Sequence, residues 1–399
     1  MASTTAAQDQ EDLPWNLGVF DAHCHPTDTM ASIPDIVNMK ATSLTIMSTR
    51  AQDQELVANV ARQSKWTRTT GDTDKQTSTS DHTGVVPSFG WHPWFSHQLY
   101  DDHSSRDSGE DRYILDKDAK VAHYQTVLKP SPQDVEFLAR LPDPMSLSNF
   151  LAQTKSRLEQ HPCALIGEVG LDDSFRLPGA WQPGQEVGRD DSLTPGGREG
   201  RRLSPYRVRM KHQRKILSAQ LKLAGTMQRA VSVHGVQAHG VLFETLRETW
   251  TGHEREVLSK SERKRRGSVR NAHIHEAMQE TEEKDKGPYP PRVCLHSYSG
   301  SLEMLDQWLH QSIPVDIFFS FSIVINFSTS AVSKTREVIK AVPSNKILIE
   351  SDLHIAGARM DENLESVARE VCDLKGWTLP EGIRQLRRNW EAFIYGVRL

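Results

Sequence analysis

His23 and His25 stand two residues apart at the end of a short apolar run, Val19-Phe20-Asp21-Ala22-His23-Cys24-His25-Pro26. Residues at i and i+2 of a strand share a face, so both imidazoles can converge on one metal ion. Other ionisable residues end or interrupt similar runs. His92 follows Val85–Trp91, Glu168 lies inside Ala164–Asp172, His234 closes Ala230–Val233, His296 follows Val293-Cys294-Leu295, and Asp352 follows Ile347–Ser351. A carboxylate such as Glu168 in a nearly continuous apolar run needs a partner, because an isolated charge in low dielectric is very costly. Taken singly, His234 or His296 reads as a satisfied structural histidine, Glu168 is evenly balanced between a metal ligand and half of a buried ion pair, and Asp352 is evenly balanced between a ligand and a helix cap. Taken together they read as a metal site. Imidazole with carboxylate suits zinc, manganese or similar divalent ions and excludes an all-oxygen calcium cage. Four histidines and two acids exceed what one tetrahedral ion needs, so a two-metal centre is expected, with a carboxylate bridging ions about 3.5–4 Å apart. Such a pair activates a water and clamps both oxygens of a displaced phosphate or ester.

These residues are far apart in sequence, and the elements between them must bring them together. Eight strand-like runs occur: Gly18–Asp21, Ser43–Ser48, Val85–Trp91, Ala164–Asp172, Ala230–His234, Val293–His296, Ile317–Phe321 and Ile347–Asp352. Helical patterns separate them, as at Leu56, Val57, Val60 and Ala61, or at Leu217, Leu221 and Ala224, which fall at i, i+4 and i+7. Ser204-Pro205 reads as a cap followed by proline at the first helical position, and so predicts a helix start there. Two further helices, around Leu364–Leu374 and Gly382–Tyr395, close the chain. Alternating strands and helices of this kind indicate an α/β fold, a (β/α)₈ TIM barrel. All strand C-terminal ends of a barrel point to one face, so the residues named above meet there.

The chain has 399 residues, of which 37% are hydrophobic, low for a globular protein of this size, so polar segments must lie outside the core. A leader over residues 1–14 and flexible insertions at about 67–83, 97–126, 174–204 and 252–288 account for them, leaving one barrel domain over 15–399. The net charge of −4 argues against nucleic-acid binding by bulk basicity. Cys24, Cys163, Cys294 and Cys372 are widely spaced, without a C-x-x-C pair, and are expected to be reduced and buried, as in an intracellular protein, cytoplasmic or nuclear. No secretory signal and no apolar run long enough for a membrane span is seen.

The segments Asp21-Ala22-His23-Cys24-His25, Gly90-Trp91-His92-Pro93, Ile166-Gly167-Glu168-Val169-Gly170-Leu171-Asp172, Val233-His234, Leu295-His296-Ser297-Tyr298-Ser299-Gly300 and Ile349-Glu350-Ser351-Asp352 together resemble the TatD family of metal-dependent hydrolases and deoxyribonucleases, within the amidohydrolase-like TIM barrels. They occur in family order and span residues 17–399 apart from the insertions. The resemblance implies two divalent ions (zinc, manganese or magnesium). His23 and His25 would hold the first, with Asp352 nearby as ligand and general base, Glu168 would bridge, and His234 and His296 would hold the second. His92 would sit over the substrate phosphate, and DNA or another phosphodiester would be cleaved. Two features differ from the family pattern: Gly235-Val236-Gln237 follows His234 where an arginine is usual two residues on, and Leu353-His354 follows Asp352 where a small residue and proline are frequent. Two alternatives remain, a hydrolase of small esters or amides and a scaffold that keeps the metal site and binds protein partners through its insertions. Among these the run Lys260–Arg266 is a candidate nuclear-localisation or nucleic-acid patch.

Overall fold

The computed structural model describes residues 11–64, 83–102, 115–179, 181, 189–257, 287–328 and 332–396. The run Lys260–Arg266 lies outside them, as do residues 1–10 of the leader and residues 67–82 of the first insertion.

Eight parallel strands form a (β/α)₈ TIM barrel: β1 Phe20–Cys24, β2 Ser43–Met47, β3 Gly84–Ser88, β4 Ile166–Asp172, β5 Val231–Val236, β6 Arg292–Leu295, β7 Asp316–Phe321 and β8 Ile347–Ile349. Hydrogen bonding orders them as β1-β2-β3 and β8-β7-β6-β5-β4. A parallel bridge from Ser88 to Leu165 joins β3 to β4. The circle closes between β8 and β1, where the Asp352 N–H donates to the His23 carbonyl at 3.1 Å and the His25 N–H donates to the Leu353 carbonyl at 2.8 Å.

Apolar residues of one strand parity, such as Ile46, Val231, Val293, Ile317 and Ile347, pack outward against the helices. Residues of the other parity fill the barrel. Phe20, Ala22, Val86, Leu165, Ala230, Cys294, Phe318 and Leu348 form an inner core at one end, closed by Trp390, Phe393 and Ile394 of the C-terminal helix Leu379–Tyr395. That helix starts at a capping box in which Thr378 Oγ1 accepts from the Glu381 N–H and the Glu381 carboxylate accepts from the Thr378 N–H.

Two irregularities aim the functional side chains. Between Asp21 and Cys24 of β1, three steps oppose two on β2, and between Ile166 and Val169 of β4, three steps oppose two on β5. An extra residue of this kind is a β-bulge, which reverses the in–out parity beyond it. Below the bulges Phe20, Ala22 and Leu165 face the barrel interior; above them Cys24, Val169 and Leu171 pack outward. His23, His25 and Glu168 are thereby turned into the barrel. Gly170 permits the close approach of β4 to β5, since a Cβ there would lie 2.0 Å from the His234 carbonyl oxygen.

Several local expectations change. The first strand begins at Phe20 instead of Gly18, because Gly18 (φ +92°) ends a 3-10 turn over Trp15–Leu17. The helix expected at Ser204-Pro205 starts at Met210: Arg207–Val208 first pair antiparallel with Leu128–Lys129, and the Ser204 hydroxyl accepts from the Tyr206 N–H. The polar stretch 97–126 contains a helix, Lys117–Val127, and Leu13 of the leader is buried. None of the four cysteines forms a disulfide, but Cys163 is exposed in the turn after helix Leu147–Gln160, so the expectation of burial fails there.

Candidate metal centre

Each residue singled out by the sequence reaches the C-terminal mouth of the barrel and is buried apart from Asp352, whose side chain is 14% exposed. Glu168 is the hub. Its Oε2 lies 3.2 Å from His25 Nε2 and 3.5 Å from His23 Nε2, while its Oε1 lies 2.8 Å from His234 Nδ1, 2.8 Å from His296 Nε2 and 3.0 Å from His92 Nε2. Within each group ring nitrogens also crowd one another: His23 Nε2 is 3.1 Å from His25 Nε2, and His234 Nδ1 is 3.1 Å from His296 Nε2. Asp352 Oδ1 stands beyond His25 Nε2 at 3.7 Å and His23 Nε2 at 4.0 Å.

Three imidazole nitrogens around one carboxylate oxygen outnumber its two lone pairs, and facing ring nitrogens cannot both donate to each other. The arrangement satisfies itself poorly through hydrogen bonds alone. Buried polar atoms without a partner among the described residues include His25 Nδ1 and Glu350 Oε2. A divalent cation resolves such crowding, because each neutral imidazole then presents a lone pair and the carboxylate supplies charge. The residues therefore fit metal ions. Donor atoms lie close enough to share an ion in three sets: His23, His25 and Glu168; His92, Glu168 and His234; and His23, His296 and Glu350. Glu168 belongs to the first two, one on each carboxylate oxygen.

The electrostatics centre on Glu168 but do not divide in the same way, since burial holds His23 down while, against their burial, Asp172 and Glu168 raise His234 and Glu168 raises His296. Burial opposes ionisation of Glu168, yet the charges of His92, His296 and His23 outweigh it and hold the carboxyl well below its usual range. Burial likewise opposes charging of His25, but hydrogen bonding and the charge of Glu168 push it up to about 9. His92 goes the other way, to about 4, because burial there exceeds the pull of Glu168.

A ring of supporting residues orients the histidines, and the sequence reasoning assigned none of them a role. His23 Nδ1 meets Ser232 Oγ at 2.8 Å. His234 Nε2 meets Asp172 Oδ2 at 3.2 Å, leaving Nδ1 for Glu168. Glu350 Oε1 accepts from the Ser297 N–H at 2.7 Å and hydroxyl at 2.6 Å, with His296 Nδ1 3.6 Å away, too long for a hydrogen bond. Asp21 accepts from the Ser351 N–H and hydroxyl and so ties β1 to β8. Carboxylates that grip a ligating imidazole from behind fix its ring orientation and raise its basicity. Asp172 and Glu350 were visible as acids inside apolar motifs, which is the signal that singled out Glu168.

The cluster opens into a cavity of about 680 Å³, within the range of ligand-binding pockets. Arg50, itself buried, holds one wall: it bonds Asp28 Oδ1 at 2.8 Å, the Pro195 carbonyl at 2.9 Å and the Thr194 carbonyl at 3.1 Å. The stretch after residue 188, part of the expected insertion at 174–204, is thus fastened across the mouth. His354 stands at the rim with its ring stacked on His25 at 5.3 Å.

Known proteins resemble this chain over nearly its whole length. The family model described as TatD-related DNase matches residues 20–395. The Schizosaccharomyces pombe protein named Cut9-interacting protein scn1 is 37% identical over 385 residues, covering 94% of this chain and 98% of its own. A Saccharomyces cerevisiae protein described as an uncharacterized deoxyribonuclease is 28% identical, with 94% and 99% covered. Among solved structures, the TatD homologue YjjV of Escherichia coli has a TM-score of 0.48 at 17% identity, covering 95% of this chain and 98% of its own. A TatD-family hydrolase of Entamoeba histolytica has 0.49 at 11%, covering 95% and 99%. The chain belongs to the TatD-related DNase family, metal-dependent hydrolases that act on ester bonds.

Proposed function

We propose that this chain hydrolyses phosphodiester bonds, in DNA or a related nucleic acid, at the Glu168 cluster. The observation that carries the reading is the division of one buried carboxylate between two imidazole groups, His23 with His25 on Oε2 and His92 with His234 and His296 on Oε1, at the mouth of an open cavity. His23, His25 and Asp352 would hold one divalent ion, His234 and His296 a second, and Glu168 both. Ions so held activate water and neutralise charge on a phosphate. Asp352 lines the cavity beside His25 and would take the proton of the attacking water. His92, beside Glu168 and on the cavity wall, would contact a phosphate oxygen bound there. Burial excludes bulk water from every one of these side chains but Asp352, which strengthens their electrostatic action.

The test is metal analysis of the purified chain together with cleavage of labelled single- and double-stranded DNA and of a small phosphodiester. Two equivalents of transition metal and cleavage that is lost in His23→Ala/His25→Ala support the proposal. Cleavage surviving in a demetallated double variant refutes it.

A second reading rests on the name of the Schizosaccharomyces pombe relative, which describes a protein that interacts with Cut9. On this reading the chain binds a protein partner, inside the cell, and the buried thiols Cys24, Cys294 and Cys372 accord with a reducing compartment. Among the described residues no helix is long and apolar enough to cross a membrane. Absence of cleavage on every substrate, with a stable complex recovered from cells, favours this reading over hydrolysis.

A further inference from the structure

The cavity has an aromatic wall and a cationic rim that the hydrolytic chemistry does not use. Trp94 and Phe175 stack with ring centroids 4.5 Å apart and planes at 9°, and both line the cavity. Asp172 builds the pair. Its Oδ2 accepts from the Trp94 indole N–H at 2.6 Å, and its Oδ1 accepts from the Phe175 N–H at 2.9 Å and from the Ser174 N–H and hydroxyl at 2.7 Å. The same Oδ2 meets His234 Nε2, so the wall and the cluster share one anchor. The Trp94 ring lies 4.7 Å from the His92 ring and 6.0 Å from that of His234. Among the described residues Trp94 is the ring partner of Phe175, which is half-buried and lines the cavity.

Three arginines line the same cavity. Arg50 is buried and committed to Asp28, Asp53 and two carbonyls. Arg198 spends its Nε–H on the Arg201 carbonyl. Arg176 adjoins Phe175 in sequence, is exposed, and makes no hydrogen bond or ion pair with another described residue. A planar apolar pair next to an available guanidinium is the combination that holds a nucleobase by stacking and a phosphate by a forked charge-assisted contact. A base paired within a duplex has its faces covered, so only an unpaired one can use the wall.

We infer that Trp94, Phe175 and Arg176 form a subsite for one nucleotide with an unpaired base, stacking the base on the aromatic pair and gripping the phosphate next to the reacting one with Arg176. This rests on the hydrolytic reading only in placing the reacting phosphate at Glu168. The test is calorimetric titration of the full chain with deoxyadenosine 5′-monophosphate, 2-deoxyribose 5-phosphate and deoxyadenosine, none of which contains a diester to cleave. The nucleotide should bind about tenfold more tightly than the base-free sugar phosphate. Phe175→Ala should abolish that difference, and Phe175→Leu, which keeps apolar volume, should reduce it. Arg176→Ala should weaken both phosphates several-fold and leave deoxyadenosine unchanged, with Arg176→Lys intermediate. Metal content equal to the parent's verifies that each variant is folded. Equal binding of nucleotide and sugar phosphate by the parent, or unchanged binding in Phe175→Ala or Arg176→Ala, overturns the subsite. Nucleotide binding of the expected pattern without cleavage of any diester removes the hydrolytic reading and leaves the subsite standing; cleavage with no base increment does the reverse.

Discussion

The two ends of the barrel are lined by the same strands and are opposite in character. At the closed end Phe20, Ala22, Val86, Leu165, Ala230, Cys294, Phe318 and Leu348 pack against Trp390 and Phe393, with Phe20 and Trp390 stacked at 4.4 Å. One step up come hydroxyls: Ser232 meets His23, Ser88 donates to the Gly167 carbonyl, and Thr45 accepts from the Trp390 indole. At the open end the interior is imidazole and carboxylate. Apolar burial at the closed end stabilises the fold, whereas burying titratable groups at the open end costs free energy that only mutual contacts or bound cations recover. The contrast locates stability and chemistry in separate tiers of one interior, a separation that can be tested from either end.

The largest effect is expected for Glu168→Ala, which removes the contact common to all five histidines. Hydrolysis of a phosphodiester should fall on the order of 10³-fold or more, with loss of bound metal measured on the same sample, while the melting temperature of chelator-treated protein changes little. Steep destabilisation of the metal-free protein would show that the open end also carries the fold. Trp390→Ala is the reciprocal change: it should destabilise by about 3–5 kcal/mol in urea unfolding, with kcat per folded molecule preserved. A fall in kcat matching the loss of stability would break the separation.

Asp172→Asn acts through His234 and Trp94 without supplying a ligand. A loss of about 10–100-fold in metal affinity or activity is expected, read by competition with a chelator. An unchanged affinity would mean that His234 is held by its neighbours alone. The smallest effect concerns buried histidines outside the barrel to which no carboxylate is bonded among the described residues. Burial, reinforced by the charges of His123 and His212, pushes His97 down to about 3, and burial pushes His123 down to about 4. The unfolded chain takes up these protons near pH 6.5 and the folded chain resists them, so this stability is present above pH 6.5 and is lost as the pH falls toward 4. Urea unfolding at pH 7 and pH 5 should differ by about 2 kcal/mol for each of the two histidines, and His97→Gln should remove about half of the difference. An identical slope in the variant would assign the acid sensitivity elsewhere.

Much of this architecture is legible without coordinates. Continuous apolar runs ending in His23, His92, His234, His296 and Asp352 announce strands buried on both faces, and their alternation with helical periodicity announces a barrel whose strand ends converge. Less legible were boundaries set by competition between elements, as where pairing of Arg207–Val208 with Leu128–Lys129 delays a helix that Ser204-Pro205 would otherwise start.

By itself the sequence determined which residues reach the open end, because residue type and position along a strand suffice to say what stands at its C-terminal tip. Only the tertiary structure decided how they meet. Whether His23, His25 and Glu168 face inward depends on two bulges, and a bulge is a mismatch between neighbouring strands that neither strand carries alone. The sharing of Glu168 between two groups of imidazoles, the grip of Asp172 on His234 and Trp94, and the fastening of residues 194–195 by Arg50 likewise join residues far apart in the chain. Such contacts are properties of closure, since they exist only once eight strands have formed a ring.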